Sequence, residues 1–252
     1  MMDLLRTQGP EVLNQLTIPK FSKIFVLLVK LDNLTVDAQN NITRQWPEMI
    51  SELVALVEAS SDVDHQKVFI RFIVKTLQIF DEEIVERSQQ KSVEEMQLSG
   101  TIKDFMREGQ IPQIVTLLGQ VLQNHSLFER KTVKGTLKVL ATLIDWNEIP
   151  LFASCRDKIL EFLREKQLRA GAFMSLASIV GKGMPELDKI NTIRSSWYLE
   201  TVRDAQLTLL RDFSFDHDFD DYEEEKSYMQ AVSTSVSHLG KWCLSQQIVK
   251  DG

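Results

Sequence analysis

The side chains that most often perform catalysis are dispersed along this sequence. Its histidines share no HExxH spacing, and no Ser or Cys lies at a spacing typical of a nucleophile paired with its base. Gly181-Lys182-Gly183 lacks the upstream Gly and the following Ser or Thr of a phosphate-binding loop. The sequence therefore predicts no enzyme, no catalytic residue, no cofactor and no small-molecule substrate. The histidines are His65, His125, His217 and His238.

The densest group of potential ligands is the stretch DFSFDHDFDDYEEEK at 212–226, which holds eight carboxylates and one Lys. Asp216, Asp218 and Asp220 match positions 1, 3 and 5 of a calcium-binding loop. Position 6 is Asp221, where such a loop requires Gly, and position 12 is Ser227, where it requires Glu. We therefore predict no metal site, and an acidic loop at 212–225.

Two explanations of this acidic loop stay open from the residues. Its aromatic residues could anchor the loop while the carboxylates face a basic partner. Alternatively, the carboxylates only solvate a segment that its density of like charge makes mobile when unbound. The aromatic residues are Phe213, Phe215, Phe219 and Tyr222.

The composition predicts a folded protein whose net charge outside the acidic loop is close to zero. The 252 residues are 43% apolar and 26% charged, which is not the composition of a disordered chain. The formal charge of -7 is largely local, because the acidic loop alone carries eight carboxylates. Cys155 and Cys243 form no CxxC pair, so we expect neither a disulfide nor a zinc site, and a reducing compartment.

No membrane insertion is predicted. The most apolar stretch, FSKIFVLLVKL at 21–31, is interrupted by Lys23 and Lys30 and is far shorter than a membrane span. Charged residues also interrupt the first twenty positions, which excludes a signal-peptide pattern there. We expect this stretch to form a buried helix.

The elements that would position any site are helices, because apolar residues recur at spacings of three and four and no alternation of period two is sustained. Gly109 and Pro112 interrupt one long stretch, and Pro185 restarts a helix after Gly181 and Gly183. The predicted helices run at about 43–59, 64–86, 92–124 with this interruption, 128–146, 148–165, 166–181, 185–211 and 222–247, after an apolar helix that starts near 19.

The helices that look most alike start near 19, 64, 128, 166 and 222, each followed by an amphipathic partner. Such spacings fit helix-pair repeats of the HEAT type, which stack into a solenoid. The predicted fold class is all-α, a right-handed superhelical solenoid of about four to five such pairs over 1–252. Periodicity alone leaves a globular helical array open.

The stretch SGTIKDFMREGQIPQIVTLLGQVLQN at 99–124 resembles the exportin-T family, the importin-β-like carriers that export tRNA. The resemblance extends upstream through FDEEIVER at 80–87 and downstream through Trp146 and IVGKGMPELDKI at 179–190. It covers about 20–245 in collinear form. Family members are several times longer, so we expect this chain to be a part of such a carrier that lacks its first repeats and its C-terminal arch.

The resemblance implies a non-catalytic nuclear transport receptor that binds tRNA cooperatively with Ran-GTP. It implies contacts with nuclear pore proteins and shuttling between nucleus and cytoplasm. Basic side chains would then contact tRNA phosphates, which requires no catalytic geometry. The candidates are Lys103, Arg107, Arg156, Lys158, Arg164, Lys189 and Arg194. A solvated surface with internal ion pairs remains the alternative for each of them.

Three lysines on one helix are not expected to contact RNA. Lys131, Lys134 and Lys138 follow a three-four spacing on what the sequence predicts to be the first helix of a pair. In the family that the chain resembles, this helix lies on the outer side. The four tryptophans are expected in packed helical faces instead of stacking on bases.

The resemblance also offers a role for the acidic loop, since importin-β relatives use such loops against basic patches of Ran. The candidate contacts are Asp216, Asp218, Asp220, Asp221, Glu223, Glu224 and Glu225. A second function of another class stays open, namely a solenoid scaffold that binds a peptide or helix in its groove and no RNA.

Overall fold

A computed structural model of the protein describes residues 2–32, 35–36, 42–43, 49–85, 92–183, 185, 187, 189–191, 200–205, 207 and 219–251. Ten longer α-helices follow one another in these ranges. They are α1 (Met2–Val12), α2 (Ile18–Asp32), α3 (Met49–Ala59), α4 (Val63–Phe80), α5 (Val93–Gly109), α6 (Ile111–Gln123), α7 (Arg130–Trp146), α8 (Ala153–Phe162), α9 (Arg169–Gly181) and α10 (Phe219–Asp251).

Shorter elements connect these helices. A π-helical turn, Asp81–Val85, continues α4, and 3-10 turns at His125–Leu127 and Ile149–Phe152 precede α7 and α8. Two short strands, β1 (Thr35–Val36) and β2 (Ile42–Thr43), pair antiparallel. Residues 189–191 and 200–205 are also helical.

The predicted break in the stretch 92–124 is confirmed. Helix α5 ends at Gly109, and α6 begins at Ile111 with Pro112 in its first turn, where the missing proline N–H costs no intrahelical bond. The beginning of α5 is fixed by Ser92, whose hydroxyl accepts from the Glu95 amide while the Glu95 carboxylate accepts from the Ser92 amide.

Two predicted boundaries are wrong. Thr43 was expected to begin a helix, but it pairs with Thr35 in the β1–β2 ladder, and α3 begins at Met49. The second half of the predicted acidic loop, 219–225, is the start of α10. Carboxylates in the first turns of a helix are stabilised by the positive end of its dipole, which offsets their repulsion.

The chain divides into two compact units, residues 1–139 and 140–252, with the division inside α7. In the first unit α4 is the central helix and packs on α1, α2 and α3. Against α2, the Phe72 ring meets the Phe25 ring edge to face with centroids 6.1 Å apart, and the Thr76 hydroxyl donates to the Ser22 hydroxyl over 3.1 Å. This pairing satisfies two buried hydroxyls, which would otherwise cost free energy.

In the second unit α9 is the central helix and packs on both α8 and α10. Its buried residues surround the helix instead of forming one stripe, as expected for a helix covered by neighbours on several sides. The Phe173 ring meets the Tyr228 ring of α10 edge to face, with centroids 6.0 Å apart. Further core residues of this unit are Cys155, Ile159, Phe162, Leu176, Val180, Ala231 and Val232.

The all-α prediction is confirmed, since helices form nearly all of the described structure. None of the helices in the described part of the chain combines the length and apolarity that a membrane crossing requires.

Candidate functional site

On α5, the two predicted RNA contacts are held by neighbouring groups. Arg107 Nη1 lies 2.6 Å from Asp104 Oδ1 in a pair whose side chains are mostly in solvent. Lys103 is half-buried, with Nζ 3.5 Å from the Val85 carbonyl oxygen at the end of the π-helical turn. An exposed pair of this kind contributes at most about 1 kcal/mol.

On α8, the predicted contacts differ in accessibility. Arg156 Nε lies 3.2 Å from Asp157 Oδ1 in an exposed pair. Lys158 Nζ lies 2.7 Å from Glu161 Oε2 and 5.8 Å from the centroid of the Phe162 ring, and its side chain is only 15% exposed. Arg164 follows α8 and is exposed. Lys158 is therefore a packing residue with a neutralised charge, whereas Arg156 and Arg164 remain accessible to an anion.

Lys189 takes part in a different arrangement. Its Nζ donates to the Lys182 carbonyl oxygen over 3.0 Å, and burial lowers the pKa of its ammonium group. Both features indicate that the Lys189 side chain stabilises the local backbone conformation. Arg194, the last of the predicted RNA contacts, lies outside the described residues.

The acidic residues also separate into different environments. Glu225 forms a largely buried ion pair with Arg169 of α9, and the two side chains are 15% and 12% exposed. The Arg169 guanidinium also lies over the Tyr228 ring, 4.3 Å from its centroid. Glu225 is thus engaged inside the second unit, and its predicted contact with Ran would require this pair to open.

The remaining acidic candidates are less constrained. Glu223 is exposed and pairs with Lys226 of its own helix over 3.6 Å, and Glu224 is half-buried. Asp220 and Asp221 lie in the first turn of α10 by their backbone. Asp216 and Asp218 lie outside the described residues, so the predicted calcium-like pattern is not tested there.

A cluster of polar groups closes the C-terminal ends of α7 and α9. Burial raises the pKa of the Asp145 carboxyl, while a hydrogen bond from Ser178 and the charges of His238 and Lys182 act in the opposite direction. Lys182 Nζ donates to the carbonyl oxygens of Ile144 and Asn147. The last carbonyls of a helix have no intrahelical partner, so this ammonium group caps α7.

The same cluster fixes α10 against α9. The His238 ring lies against Gly181, where an added Cβ would clash with the ring, and its Nδ1 lies 3.1 Å from the Ala177 carbonyl oxygen. The close approach explains why a glycine stands at this position. We interpret the cluster as a structural junction instead of a catalytic one.

Two further observations bear on chemistry in the described residues. Cys155 is fully buried, and burial raises the pKa of its thiol, which makes it a poor nucleophile. Within the ranges described above, no group of three or more His, Cys, Asp or Glu side chains could hold a metal ion.

Comparison with known proteins connects this geometry to a family. Residues 19–176 match the family model described as Exportin 1-like protein. The chain is also 25% identical to Exportin-T from Homo sapiens over 92% of this chain, and 28% identical to Exportin-T from Danio rerio over 70% of it. Exportin-T from Mus musculus is 27% identical over 92% of this chain. The resemblance to exportin-T predicted from the sequence is confirmed.

The lengths differ widely. The matched regions cover 17% of the Danio rerio protein and 22% of the Homo sapiens and Mus musculus proteins. The chain thus spans about a fifth of the length of these curated relatives.

Proposed function

Because this chain belongs to the Exportin 1-like protein family, we propose that it acts as a segment of a non-catalytic nuclear export receptor that binds tRNA cooperatively with Ran-GTP. The observation that carries the proposal is the family match over residues 19–176, together with relatives named Exportin-T that align along most of the chain. The partners are tRNA, Ran-GTP and nuclear pore proteins. The receptor shuttles between nucleus and cytoplasm.

Cooperativity in this scheme is a coupling free energy between two sites on one chain. If Ran-GTP increases the affinity for tRNA by some factor, tRNA must increase the affinity for Ran-GTP by the same factor. Couplings of about 1–3 kcal/mol are typical, which correspond to roughly 5- to 150-fold. Hydrolysis of GTP on Ran would then release both ligands.

The accessible cations are the proposed phosphate contacts. Arg107, Arg156 and Arg164 are exposed, and the first two pair with Asp104 and Asp157 at the surface. Lys103, Lys158 and Lys189 are half-buried and already bound to protein oxygens, so they contribute less. Arg194 completes the proposed set. Binding through phosphates would read the backbone and shape of tRNA.

The acidic residues at the start of α10 are the proposed contacts with a basic surface of Ran. The Glu223 side chain is 48% exposed, whereas Glu224 is half-buried and the Glu225 side chain is 15% exposed. Asp216, Asp218, Asp220, Asp221 and Glu224 complete this set, and Glu225 joins it only if its pair with Arg169 opens.

The proposal is tested by titrating a labelled tRNA with this chain and measuring fluorescence anisotropy, with Ran-GTP, with Ran-GDP and without Ran. We expect binding that is tighter with Ran-GTP than under either other condition. With Ran-GTP present, it should weaken between about 50 and 200 mM salt, because released counterions drive phosphate contacts. Binding of tRNA under none of the three conditions would contradict the proposal.

A second candidate function, a scaffold that binds a peptide or helix, is favoured by two pockets in the first unit. One pocket of about 430 Å³ lies between α3 and α6, and a second of about 380 Å³ continues towards α4. Both are lined by Val57, Leu117 and Gln120 and include the carboxylate-bearing Glu58. A protein ligand that binds here while tRNA does not bind the chain would establish this alternative.

A further inference from the structure

The long helix α10 carries apolar side chains on two different faces. One face packs on α9 and buries Tyr228 and Val232, which are 5% and 3% exposed. The other face carries Tyr222, Val236 and Leu244, which are 52%, 38% and 63% exposed. A helix at the surface of a protein normally has one apolar face and one polar face. The second apolar face of α10 therefore indicates a further packing partner.

The exposed apolar residues of α10 are spaced so that they form a row. Tyr222, Met229 and Val236 are seven positions apart, which is close to two turns of an α-helix. Met229 is half-buried. Leu244 lies within about 40° of Tyr222 around the helix axis, so it continues the row. We call these four residues the α10 stripe, which is about 33 Å long at the rise of an α-helix.

The two ends of α10 carry opposite charge. Residues 219–226 contain five carboxylates and one lysine, whereas residues 227–250 contain two lysines, His238 and no carboxylate. Asp251 is the last residue of the helix. One of the five carboxylates, Glu225, is neutralised by Arg169. An excess of negative charge thus remains at the beginning of the helix, and the positive charge lies in its later part.

This pattern complements itself when two copies of α10 lie side by side in opposite directions. In an antiparallel pair centred near Ser233, Tyr222 of one copy faces Leu244 of the other, and Met229 faces Val236. The acidic end of each copy then lies beside the basic part of the other, and the two helix dipoles attract each other. Copies in the same direction would bring like charges together, which is unfavourable.

Glu223 and Lys241 are the charges that an antiparallel pair would bring together. Both lie about 100° from Tyr222 around the helix axis, on the same side of the stripe. Glu223 is 48% exposed and pairs with Lys226, one turn away, over 3.6 Å. Lys241 is exposed and has no ion pair within the described part of the chain. Because a carboxylate accepts several hydrogen bonds, Glu223 can bind both Lys226 and Lys241 of a second copy.

We propose that the α10 stripe is a dimerisation surface, which binds the same stripe of a second copy in the antiparallel direction. Both copies use one surface, as a twofold axis requires. The proposal is independent of tRNA and Ran. A single pair of helices of this length buries less area than a typical stable complex, so we expect a dissociation constant on the order of 10–100 µM.

The test measures the mass of the wild-type chain by sedimentation equilibrium, without tRNA or Ran, from about 1 µM to 1 mM. We expect the mass to rise from the monomer value of 29.0 kDa towards twice that value. Val236→Asp places an unpaired carboxylate against the apolar stripe of the other copy, so it should weaken the dimer by at least roughly 100-fold. Its control is Val93→Asp, which changes an exposed valine of α5 in the same way and should leave the dimer intact.

An exchange of charges tests the direction of the pair. Glu223→Lys should weaken the dimer roughly tenfold, because like charges replace a Glu–Lys pair at both ends. Adding Lys241→Glu should restore the wild-type affinity, since it reverses each pair. The matched control combines Glu223→Lys with Lys131→Glu, an exposed lysine of α7, and should stay weakened at the same net charge. Urea unfolding verifies that the midpoint of each variant stays near the wild-type value.

Three results would overturn the proposal, and none of them affects the proposed function. Monomer mass at every concentration would show that no second copy binds, and would leave the stripe to a helix of another protein. A wild-type dimer that Val236→Asp does not weaken uses another surface. Equal rescue of Glu223→Lys by Lys241→Glu and by Lys131→Glu would show that the two copies do not pair in opposite directions.

Discussion

At the scale of single residues, the described structure separates charges that hold the protein together from charges that a ligand can reach. Glu225 and Glu223 are equivalent acidic candidates in the sequence, yet Glu225 forms a largely buried pair with Arg169, whose guanidinium lies over the Tyr228 ring. Glu223, two positions earlier, stays in solvent. Spacing along a chain cannot make this distinction, since it depends on which helix face meets a neighbour.

The Arg169–Glu225 pair allows a direct stability prediction. Removing one partner of a fully buried pair costs about 3–5 kcal/mol, because the other charge is left without compensation. Since these side chains are 12% and 15% exposed, we expect Glu225→Ala to lower the free energy of unfolding by roughly 2–4 kcal/mol. Urea unfolding followed by circular dichroism measures this change.

The matched control for this prediction is Glu223→Ala, whose exposed pair should contribute less than about 1 kcal/mol. The double variant Arg169→Met and Glu225→Leu should recover most of the lost stability, since an apolar pair needs no compensation. Equal effects of the two single substitutions would show that the Arg169 pair is not buried in solution.

Asp145 gives a prediction with a defined pH dependence. Burial raises the pKa of its carboxyl in the folded protein above the unfolded value of 3.8. The folded state then binds the proton more tightly, so the contribution of this group to stability falls as pH rises between the two pKa values. Asp145→Asn removes that loss, and the variant should gain stability relative to the wild type between about pH 4 and pH 7.

The measurement is the urea midpoint of both proteins across this pH range. The low-pH end is the internal control, because the wild-type carboxyl is protonated there and resembles the amide. A difference between the two proteins that stays constant with pH would show that the Asp145 carboxyl titrates alike in the folded and unfolded states.

At the scale of helices, close contacts depend on the few positions without a side chain. Gly135 brings α7 against Val74 and Gln78 of α4, and Gly181 brings α9 against His238 of α10. Both contacts connect helices that are far apart in sequence. An added methyl group at either position should destabilise the packing of the two helices.

Gly135→Ala should therefore lower the free energy of unfolding, by roughly 1–2 kcal/mol. Overpacking costs about 1–3 kcal/mol, which exceeds the gain of up to about 1 kcal/mol from alanine's higher helix propensity. The control is Gly100→Ala in α5, where no atom lies within 4 Å of the added Cβ, and this change should be neutral or stabilising. A stabilising Gly135→Ala would contradict the close contact between α4 and α7.

Much of the element order could be predicted from the sequence, because apolar spacing and helix breakers are local signals. The fold class, an all-α repeat fold of HEAT-type helix pairs, is confirmed, and Gly109 and Pro112 separate α5 from α6 as predicted. The phase of the pairs could not be predicted. It depends on which helices lie side by side, and the contact of Gly135 in α7 with Val74 and Gln78 in α4 joins positions far apart in the sequence.

The same dependence on helix packing explains which residues of the candidate site could be grouped from the sequence. Residues near in sequence, such as Lys103 and Arg107, could be grouped by their four-residue spacing. Arg71 could not be grouped with Glu129, because they lie 58 positions apart and meet only through the packing of α4 on α7. A glycine in the middle of a lysine row was the one local signal of that contact.

At the scale of the whole molecule, the proposed function depends on coupling between the binding of two ligands. A transport receptor needs its cargo and its GTPase to tighten each other's binding, and a scaffold for one protein ligand does not. The family match over residues 19–176 supports the first. The exposed cations of the described residues suit one proposed ligand, the negatively charged tRNA. The exposed carboxylates suit the other, a basic surface of Ran.

The most direct test of this account is a complete binding cycle on the 252-residue chain. The affinity for tRNA is measured with and without saturating Ran-GTP, and the affinity for Ran-GTP with and without saturating tRNA. We predict that each ligand tightens the other by the same factor, of at least roughly 5-fold, as linkage requires of coupled sites. Independent binding, with both factors equal to about one, would contradict the claim that this chain couples cargo to Ran-GTP.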